Sequence, residues 1–244
     1  MSFSDVAIII PSRLASARLE KKALKIIGNV TMIEHVYNRT SSLGIKSTYI
    51  ATDSEDIAEV ITKAGGKFIM TKPECASGTD RIYEALQTIK DNGNIKYVIN
   101  LQGDMPFIDP AIITKVIDTL KKSNADIVTP VAEIDRLTAE APSNVKVVIG
   151  KDDKALYFSR SMIPHGAEKF WYHIGIYGYT TSALKKFVHL PQSPLEKQES
   201  LEQLRALEND MTITVCYAES VPISVDTDDD LSKARMQHDS LFVG

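Results

Sequence analysis

Three short segments of this chain gather side chains that could act on a charged substrate. The first, Pro11-Ser-Arg-Leu-Ala-Ser-Ala-Arg-Leu-Glu-Lys-Lys-Ala-Leu24, holds Arg13, Arg18, Lys21 and Lys22 and is followed by Lys25. Against the single acid Glu20, residues 11–25 carry a net charge of +4 in a chain whose total is −4. Small residues, Ser12, Ala15, Ser16 and Ala17, would let the backbone approach a ligand closely. A cationic loop of this kind suits the grip on a polyphosphate, although a solvated basic loop would have the same composition.

The second segment, Tyr97-Val-Ile-Asn-Leu-Gln-Gly-Asp-Met-Pro106, runs from an apolar stretch into Gln102-Gly103-Asp104 and stops at Pro106. Gly103 permits a tight bend, which leaves Asp104 at a strand end, where Mg²⁺ would find an oxygen ligand. A turn or helix-capping aspartate would look the same locally. The third, Ile223-Ser-Val-Asp-Thr-Asp-Asp-Asp-Leu231, predicts Asp226 at the end of a short strand. It also predicts Asp228–Asp230 in the first turn of a helix, where the positive dipole end favours acids. One carboxylate of this segment together with Asp104 would match the way Mg²⁺ is held, by one or two carboxylates with phosphates and water.

Other chemistries fit poorly. No Gly-x-Gly-x-x-Gly occurs and no glycine precedes a Lys-Ser or Lys-Thr pair, which speaks against a Rossmann dehydrogenase and a P-loop nucleotidase. The aspartates lack the alternation, central glycine and distal glutamate of an EF-hand. A total charge of −4 and a pI near 5.8 give no global basic field for nucleic acid. The apolar run Val6–Ile10 is far too short to span a bilayer, and residues 1–5 lack the basic start of a secretory signal. Cys75 and Cys216 lie far apart with no paired spacing, so two reduced thiols and a cytoplasmic setting are expected.

These segments need a frame that places them together. Short apolar runs at Val6–Ile10, Ser47–Thr52, Lys67–Thr71 and Tyr97–Gln102 predict strands. Each is followed by a longer segment with helical spacing, three of them with clear apolar stripes: Met32, Ile33, Val36 and Tyr37; Ile57, Val60 and Ile61; Ile82, Ala85, Leu86 and Ile89. That repetition predicts an α/β fold, a mostly parallel twisted sheet covered by helices on both faces. In such sheets ligands bind beyond the carboxyl ends of the strands, where the three segments fall. After about residue 126 strands dominate: Asp126–Val131, Val145–Ile149, Ala155–Phe158, His173–Tyr179 and Thr212–Tyr217, with a helix over Glu196–Glu208. At 244 residues, with no Pro/Gly/Ser-rich linker and no repeat, residues 1–244 read as one domain with a β-rich excursion near 150–210.

Further motifs occur in a fixed order along the chain. They are Ala51-Thr-Asp53, Ser77-Gly-Thr-Asp-Arg81, Val145-Lys-Val-Val148, Tyr157-Phe-Ser-Arg160-Ser-Met-Ile-Pro164 and His173-Ile-Gly-Ile-Tyr-Gly-Tyr179. Ser193-Pro-Leu-Glu196, Glu199-Ser-Leu-Glu-Gln-Leu-Arg205 and Val225-Asp-Thr227 complete them. With the three segments above, they resemble the sugar-activating cytidylyltransferases, and within these the 3-deoxy-manno-octulosonate cytidylyltransferase (CMP-Kdo synthetase) family. The resemblance runs from Ile8 to about Ala234.

It implies the nucleotide-diphospho-sugar transferase type of fold and attack of the anomeric hydroxyl of Kdo on the α-phosphate of CTP. Diphosphate would leave, and CMP-Kdo would feed lipopolysaccharide synthesis. By the same resemblance, Arg13 and Lys22 neutralise the triphosphate, with Ser16 and Arg18 in the same loop. Ser77, Gly78, Thr79 and Arg81 contact the nucleotide, and Asp104 and Asp226 hold Mg²⁺. Gln102, Arg160, His173, Tyr177, Glu202 and Gln203 line the sugar side, with Arg160 pairing the Kdo carboxylate in a bidentate fork. A homodimer through the β-rich excursion is also implied, and the segment Phe170, Trp171, Tyr172 and Ile174 would serve it or form a core strand.

Each assignment has a plainer counterpart. Thr79 and Asp80 suit a helix N-cap, His173 a packed histidine, and Glu202 and Gln203 the wet face of a helix. The chain also departs from the pattern. Glu20-Lys21-Lys22-Ala23 stands where the family usually has Pro-Gly-Lys-Pro, Met105 where many relatives have Glu, Cys75 where His is common, and Val30-Thr31 replaces Lys-Pro. The alternatives that remain are a CMP-sialate or modified-Kdo cytidylyltransferase and a catalytically weak nucleotide-sugar-binding protein of the same fold.

Overall fold

A computed structural model describes residues 3–16, 18–90 and 92–242. The chain falls into two compact units, one of Met1–Lys96, Asn100–Pro110 and Pro222–Gly244, the other of Tyr97–Ile99 and Ala111–Val221.

The first unit starts with β1 (Val6–Ser12), whose residues Val6 to Ile10 are all fully buried. A two-stranded hairpin follows, β2 (Ile26–Ile27) and β3 (Val30–Thr31), then α1 (Met32–Ser41) and β4 (Thr48–Thr52). The unit continues through α2 (Glu55–Lys63), β5 (Phe68–Met70) and α3 (Gly78–Thr88). β1 pairs parallel with β4, and β4 parallel with β5, matching the strands predicted from the apolar runs. Each helix starts on a hydroxyl that satisfies an orphan backbone N–H: Thr31 for α1, Ser54 for α2 and Ser77 for α3. Thr31 forms a full capping box with Glu34. The apolar stripes at Met32, Ile33 and Val36, Ile57 and Ile61, and Ile82, Ala85 and Leu86 face the core as expected.

The second unit holds β6 (Tyr97–Asn100) except Asn100, α4 (Pro110–Lys122) except Pro110, β7 (Ile127–Asp135), α5 (Arg136–Ala139), β8 (Lys146–Ile149) and β9 (Ala155–Ser159). It goes on through β10 (Lys169–His173), β11 (Tyr177–Thr180), α6 (Thr181–Val188), α7 (Pro194–Glu199), α8 (Gln203–Leu207) and β12 (Ile213–Tyr217). The order is β6-β11-β7-β10-β8-β9, with β12 parallel to β7. The pairs β11/β7, β10/β7, β10/β8 and β8/β9 are antiparallel. The chain returns to the first unit with α9 (Asp228–Phe242).

Three elements differ from expectation. The strand predicted over His173–Tyr179 divides into β10 and β11, because the Thr129 hydroxyl engages the carbonyls of Ile174 (3.2 Å) and Ile176 (2.8 Å) and the chain turns tightly at Gly175. The helix predicted over Glu196–Glu208 breaks at Ser200, which adopts φ 54°, and becomes α7 and α8. Residues 223–226 form no strand; Val225 is buried and its N–H donates to the Asp104 carbonyl (2.9 Å). Phe170 and Ile174 are core residues, which leaves Trp171 and Tyr172 as the half-exposed part of that apolar segment.

Candidate functional site

The first unit contains a cavity of about 320 Å³ where the loops after its strands converge. Arg13, Ser16, Arg18, Lys22, Ser77, Gly78, Arg81, Gln102, Asp104 and Asp226, all singled out in the sequence, line it. Ala17 lies outside the described residues. A buried apolar cluster of Leu19, Ile27, Met32, Phe107, Val225, Leu231 and Ala234 pins together the basic loop, the hairpin, the Asp104 turn, the Asp226 segment and α9. Each of the larger side chains contributes roughly 1.5–3 kcal/mol on burial, so the cluster fixes where the loops end. Gly28 (φ +60°) turns the hairpin under α9, and a Cβ there would meet the His238 ring at 2.2 Å. Gly103 lies in a turn, but its φ is not positive; a Cβ would press on the Pro11 carbonyl at 3.2 Å, so close approach to β1 is what requires glycine.

Lys22 stands at the centre of the charges. It opens a short 3₁₀ turn, Lys22–Leu24, whose buried Ala23 anchors the backbone. Its Nζ donates to Asp104 Oδ2 (2.8 Å) and to Asp226 Oδ1 (2.9 Å). Arg18 Nη2 lies 3.2 Å from Asp226 Oδ2. Burial works against the ammonium, but Asp104 and then Asp226 outweigh it, and the Lys22 pKa is held above its ordinary value. Asp226 is set by the start of α9, where the Asp230 carboxylate accepts from the backbone N–H of Asp226 (3.2 Å) and of Thr227 (3.1 Å). Two carboxylates held within reach of one cation fit a hard divalent ion, which takes the rest of its shell from phosphate and water. Among the described residues no third His, Cys, Asp or Glu joins them.

Arg81 is buried and forks between Asp53 Oδ2 (2.9 Å) and the Thr71 hydroxyl. Asp53 follows β4 and also accepts from the backbone N–H of Leu14 (3.4 Å), which ties the basic loop to the helix that carries Arg81. Ser77, rather than Thr79 or Asp80, is the N-cap: its extended backbone precedes the first turn and its hydroxyl accepts from Asp80 N–H (3.1 Å). Thr79 is fully buried and accepts from Asn100 Nδ2 (3.4 Å), and Gln102 Nε2 donates to Asn100 Oδ1 (3.0 Å). Cys75 also lines the cavity; burial, and then the hydrogen bond to Glu84, push its thiol up to about 11.

The other residues read as sugar-binding belong to the second unit. The Arg160 guanidinium donates to the carbonyls of Glu199 (2.8 Å), Pro142 (3.2 Å) and Ser200 (3.3 Å). The Glu199 carboxylate accepts from Ser159 Oγ (2.6 Å) and Arg160 N–H (2.9 Å). Fully buried Lys146 donates to the Arg160 carbonyl. His173 is buried and meets the Thr129 hydroxyl at 2.9 Å; burial pushes its pKa down to about 3, so the ring is neutral. Tyr177 OH donates to Gln203 Oε1 (3.1 Å), and burial holds the phenol well above its ordinary pKa. Gln203 is buried rather than on a wet face, and among the described residues its buried Nε2 donor has no hydrogen-bond partner. Glu202 is half-buried at the start of α8.

Asp53, Glu199 and Lys146 had no role assigned from sequence. All three stand inside quoted motifs, and Asp53 follows its strand much as Asp104 follows β6; that was the available signal.

Known proteins share this framework. A cytidylyltransferase family model matches residues 7–213. The 3-deoxy-manno-octulosonate cytidylyltransferase of Rickettsia felis is 57% identical over 234 residues, 96% of this chain and 95% of that protein. Its counterpart in Rickettsia canadensis is 55% identical over 96% of each chain. The solved structure of CMP:2-keto-3-deoxy-manno-octonic acid synthetase complexed with CTP superposes with a TM-score of 0.93 at 34% identity, covering 98% of this chain and 100% of that one. A putative glucose-1-phosphate thymidylyltransferase from Bacillus anthracis, 15% identical over 96% of this chain and 95% of its own, shares the fold with a TM-score of 0.70. Family match, identity across nearly the full length and the shared fold agree: the chain belongs to the 3-deoxy-manno-octulosonate cytidylyltransferase family.

Proposed function

We propose that this enzyme activates Kdo with CTP, giving CMP-Kdo and diphosphate, a step that supplies lipopolysaccharide synthesis. The observation that carries the reading on the chain's own residues is the Lys22–Asp104–Asp226 cluster facing a cavity lined by Arg13, Arg18 and Arg81. Such a cavity suits a triphosphate.

The anomeric oxygen of Kdo bonds to the α-phosphorus, the bond to the bridging oxygen of the diphosphate breaks, and the hydroxyl proton passes to water. Chemistry of this type depends mainly on positioning and charge stabilisation. Arg13, Arg18 and Lys22 neutralise the triphosphate and stabilise the charge that grows on the leaving diphosphate. Ser16, Ser77, Gly78 and Arg81 shape the nucleotide's seat, with Arg81 fixed by Asp53, while buried Thr79 supports it from beneath. Asp104 and Asp226 would hold Mg²⁺, which when bound supplies charge neutralisation at the α-phosphate and a lowered pKa for the attacking hydroxyl.

We assign contacts with the acidic sugar to Arg160, His173, Tyr177, Glu202 and Gln203 of the second unit, while Gln102 lines the first unit's cavity. The unpartnered Gln203 Nε2 supports this, because a buried donor left unpaired costs about 1–3 kcal/mol and a sugar hydroxyl would satisfy it. Neutral His173 acts by shape and hydrogen bonding rather than by charge. We further propose a cytoplasmic homodimer joined through the β-rich part, where Leu156 and Tyr217 are exposed and Trp171 meets Tyr217 edge-on. Among the described residues no helix is long and apolar enough to cross a membrane.

The test is diphosphate release by purified protein with Mg²⁺ and CTP, comparing Kdo, sialic acid and no acceptor. Kdo-dependent release with CMP-Kdo detected by mass is the expected result. Release with sialic acid alone would move the acceptor, and no release from folded protein that still binds CTP would favour a binding protein.

A further inference from the structure

The cation that joins Asp104 to Asp226 in this structure is the protein's own Lys22. We propose that Lys22 is a resident counter-ion: it closes the two carboxylates to divalent cations in the nucleotide-free protein and releases them when a nucleoside triphosphate enters. The inference rests on the reading above that Asp104 and Asp226 hold the metal.

The cluster is electrically complete as it stands. Two carboxylates face one ammonium at 2.8 and 2.9 Å and one guanidinium at 3.2 Å, so their formal charges sum to zero. A divalent cation arriving alone would have to displace the ammonium and then sit beside two positive groups with no added anion. A triphosphate changes the balance. It offers Lys22 and Arg18 new oxygen partners in the same cavity, which both already line, and it brings the negative charge that a metal needs.

The fold allows the exchange. Lys22 has its backbone fixed by the 3₁₀ turn and by buried Ala23, while its side chain is one-fifth exposed and ends in a flexible four-carbon stem. Nζ can therefore leave the carboxylates without moving the loop. Metal and nucleotide binding are then positively coupled through one lysine, and such coupling is reciprocal.

Mn²⁺ binding to the nucleotide-free protein, followed by electron paramagnetic resonance, tests this. Lys22→Met should bind Mn²⁺ more tightly than wild type, on the order of 5- to 150-fold, the usual range of coupling between sites. The same variant should bind Mg²⁺–CTP more weakly, and this opposite pair of shifts is what a purely structural ion bridge would not give. Lys22→Gln should behave alike and stands in if Lys22→Met does not fold. Lys21→Met removes the same charge one residue away, at an exposed position, and should leave Mn²⁺ binding unchanged; an equal gain there would reduce the effect to net charge and overturn the proposal. Unchanged or weaker Mn²⁺ binding in both Lys22 variants would also overturn it. Failure of the metal assignment would look different: Mn²⁺–CTP would bind Asp104→Asn and Asp226→Asn as tightly as wild type.

Discussion

Two charged clusters, one in each unit, are built in opposite ways. In the first unit, Lys22, Arg18, Asp104 and Asp226 come from three loops and stay partly wet; side-chain exposure runs from 20% for Lys22 to 68% for Arg18. Ion pairs of that kind contribute about 0–1 kcal/mol each and exchange partners readily. In the second unit, Glu196 and Arg205 form a two-point pair at 6% and 8% exposure, and Glu199 is spent on Ser159 and Arg160. Removing one member of a buried pair leaves an uncompensated charge. The contrast separates two tasks. Groups that must trade one partner for another during turnover are kept in contact with solvent, while those that must hold a shape are dried and locked. Arg81 with Asp53 is the exception in the first unit: it is dry, and it fixes a loop.

Substitutions can break this contrast or sharpen it. Glu196→Ala strands Arg205 and removes an acceptor for Ser193 N–H, so it should lower stability by about 3–5 kcal/mol, read as a clear drop in Tm. A change under about 1 kcal/mol would mean the pair is not locked. Asp104→Asn and Asp226→Asn act on the wet cluster, so each should lower kcat by on the order of 10²–10³-fold with an unchanged circular dichroism spectrum and Tm. Near-wild-type turnover in either would remove that residue from the site.

His173 gives a pH signature of the dry region. Its pKa is about 3 when folded and near 6.5 when unfolded, so below pH 6.5 the unfolded chain binds a proton that the native protein refuses. Its contribution to stability is therefore complete above about 6.5 and is lost toward pH 3, by up to about 1.4 kcal/mol per pH unit. Urea unfolding at pH 7, 6 and 5 should show a shallower loss for His173→Gln than for wild type; parallel losses would contradict the assignment. The smallest effect concerns Lys21, which adopts φ 50°. Left-handed backbone costs a non-glycine residue roughly 1–2 kcal/mol and glycine's own entropy offsets part of that. Lys21→Gly should thus raise stability by about 1 kcal/mol or less, and a lower Tm would show that the loop does not depend on that torsion.

The parallel half of the fold was legible because β1, β4 and β5 are near-continuous apolar runs separated by helical stripes, and local patterns suffice for that. The residues of the first unit's cavity were legible because loops after parallel strands share one end of the sheet, though pairing Asp104 with Asp226 needed the family resemblance. What remained hidden depends on tertiary contacts. Nothing in its neighbours announces that Ser200 takes a left-handed torsion; its place follows from Glu199 reaching Ser159 and Arg160. The break after His173 arises from the Thr129 hydroxyl, far away in sequence. The role of Asp53 depends on Arg81 and Leu14, which come from distant parts of the chain.

The most direct measurement is a crystal structure of the protein with CTP and Mg²⁺. The triphosphate should lie in the first unit's cavity against Arg13, Arg18 and Lys22, with Mg²⁺ on Asp104 and Asp226 and the Lys22 ammonium moved from the carboxylates to phosphate oxygens. Nucleotide bound away from that cavity, or metal held without either aspartate, would contradict the assignment of this site.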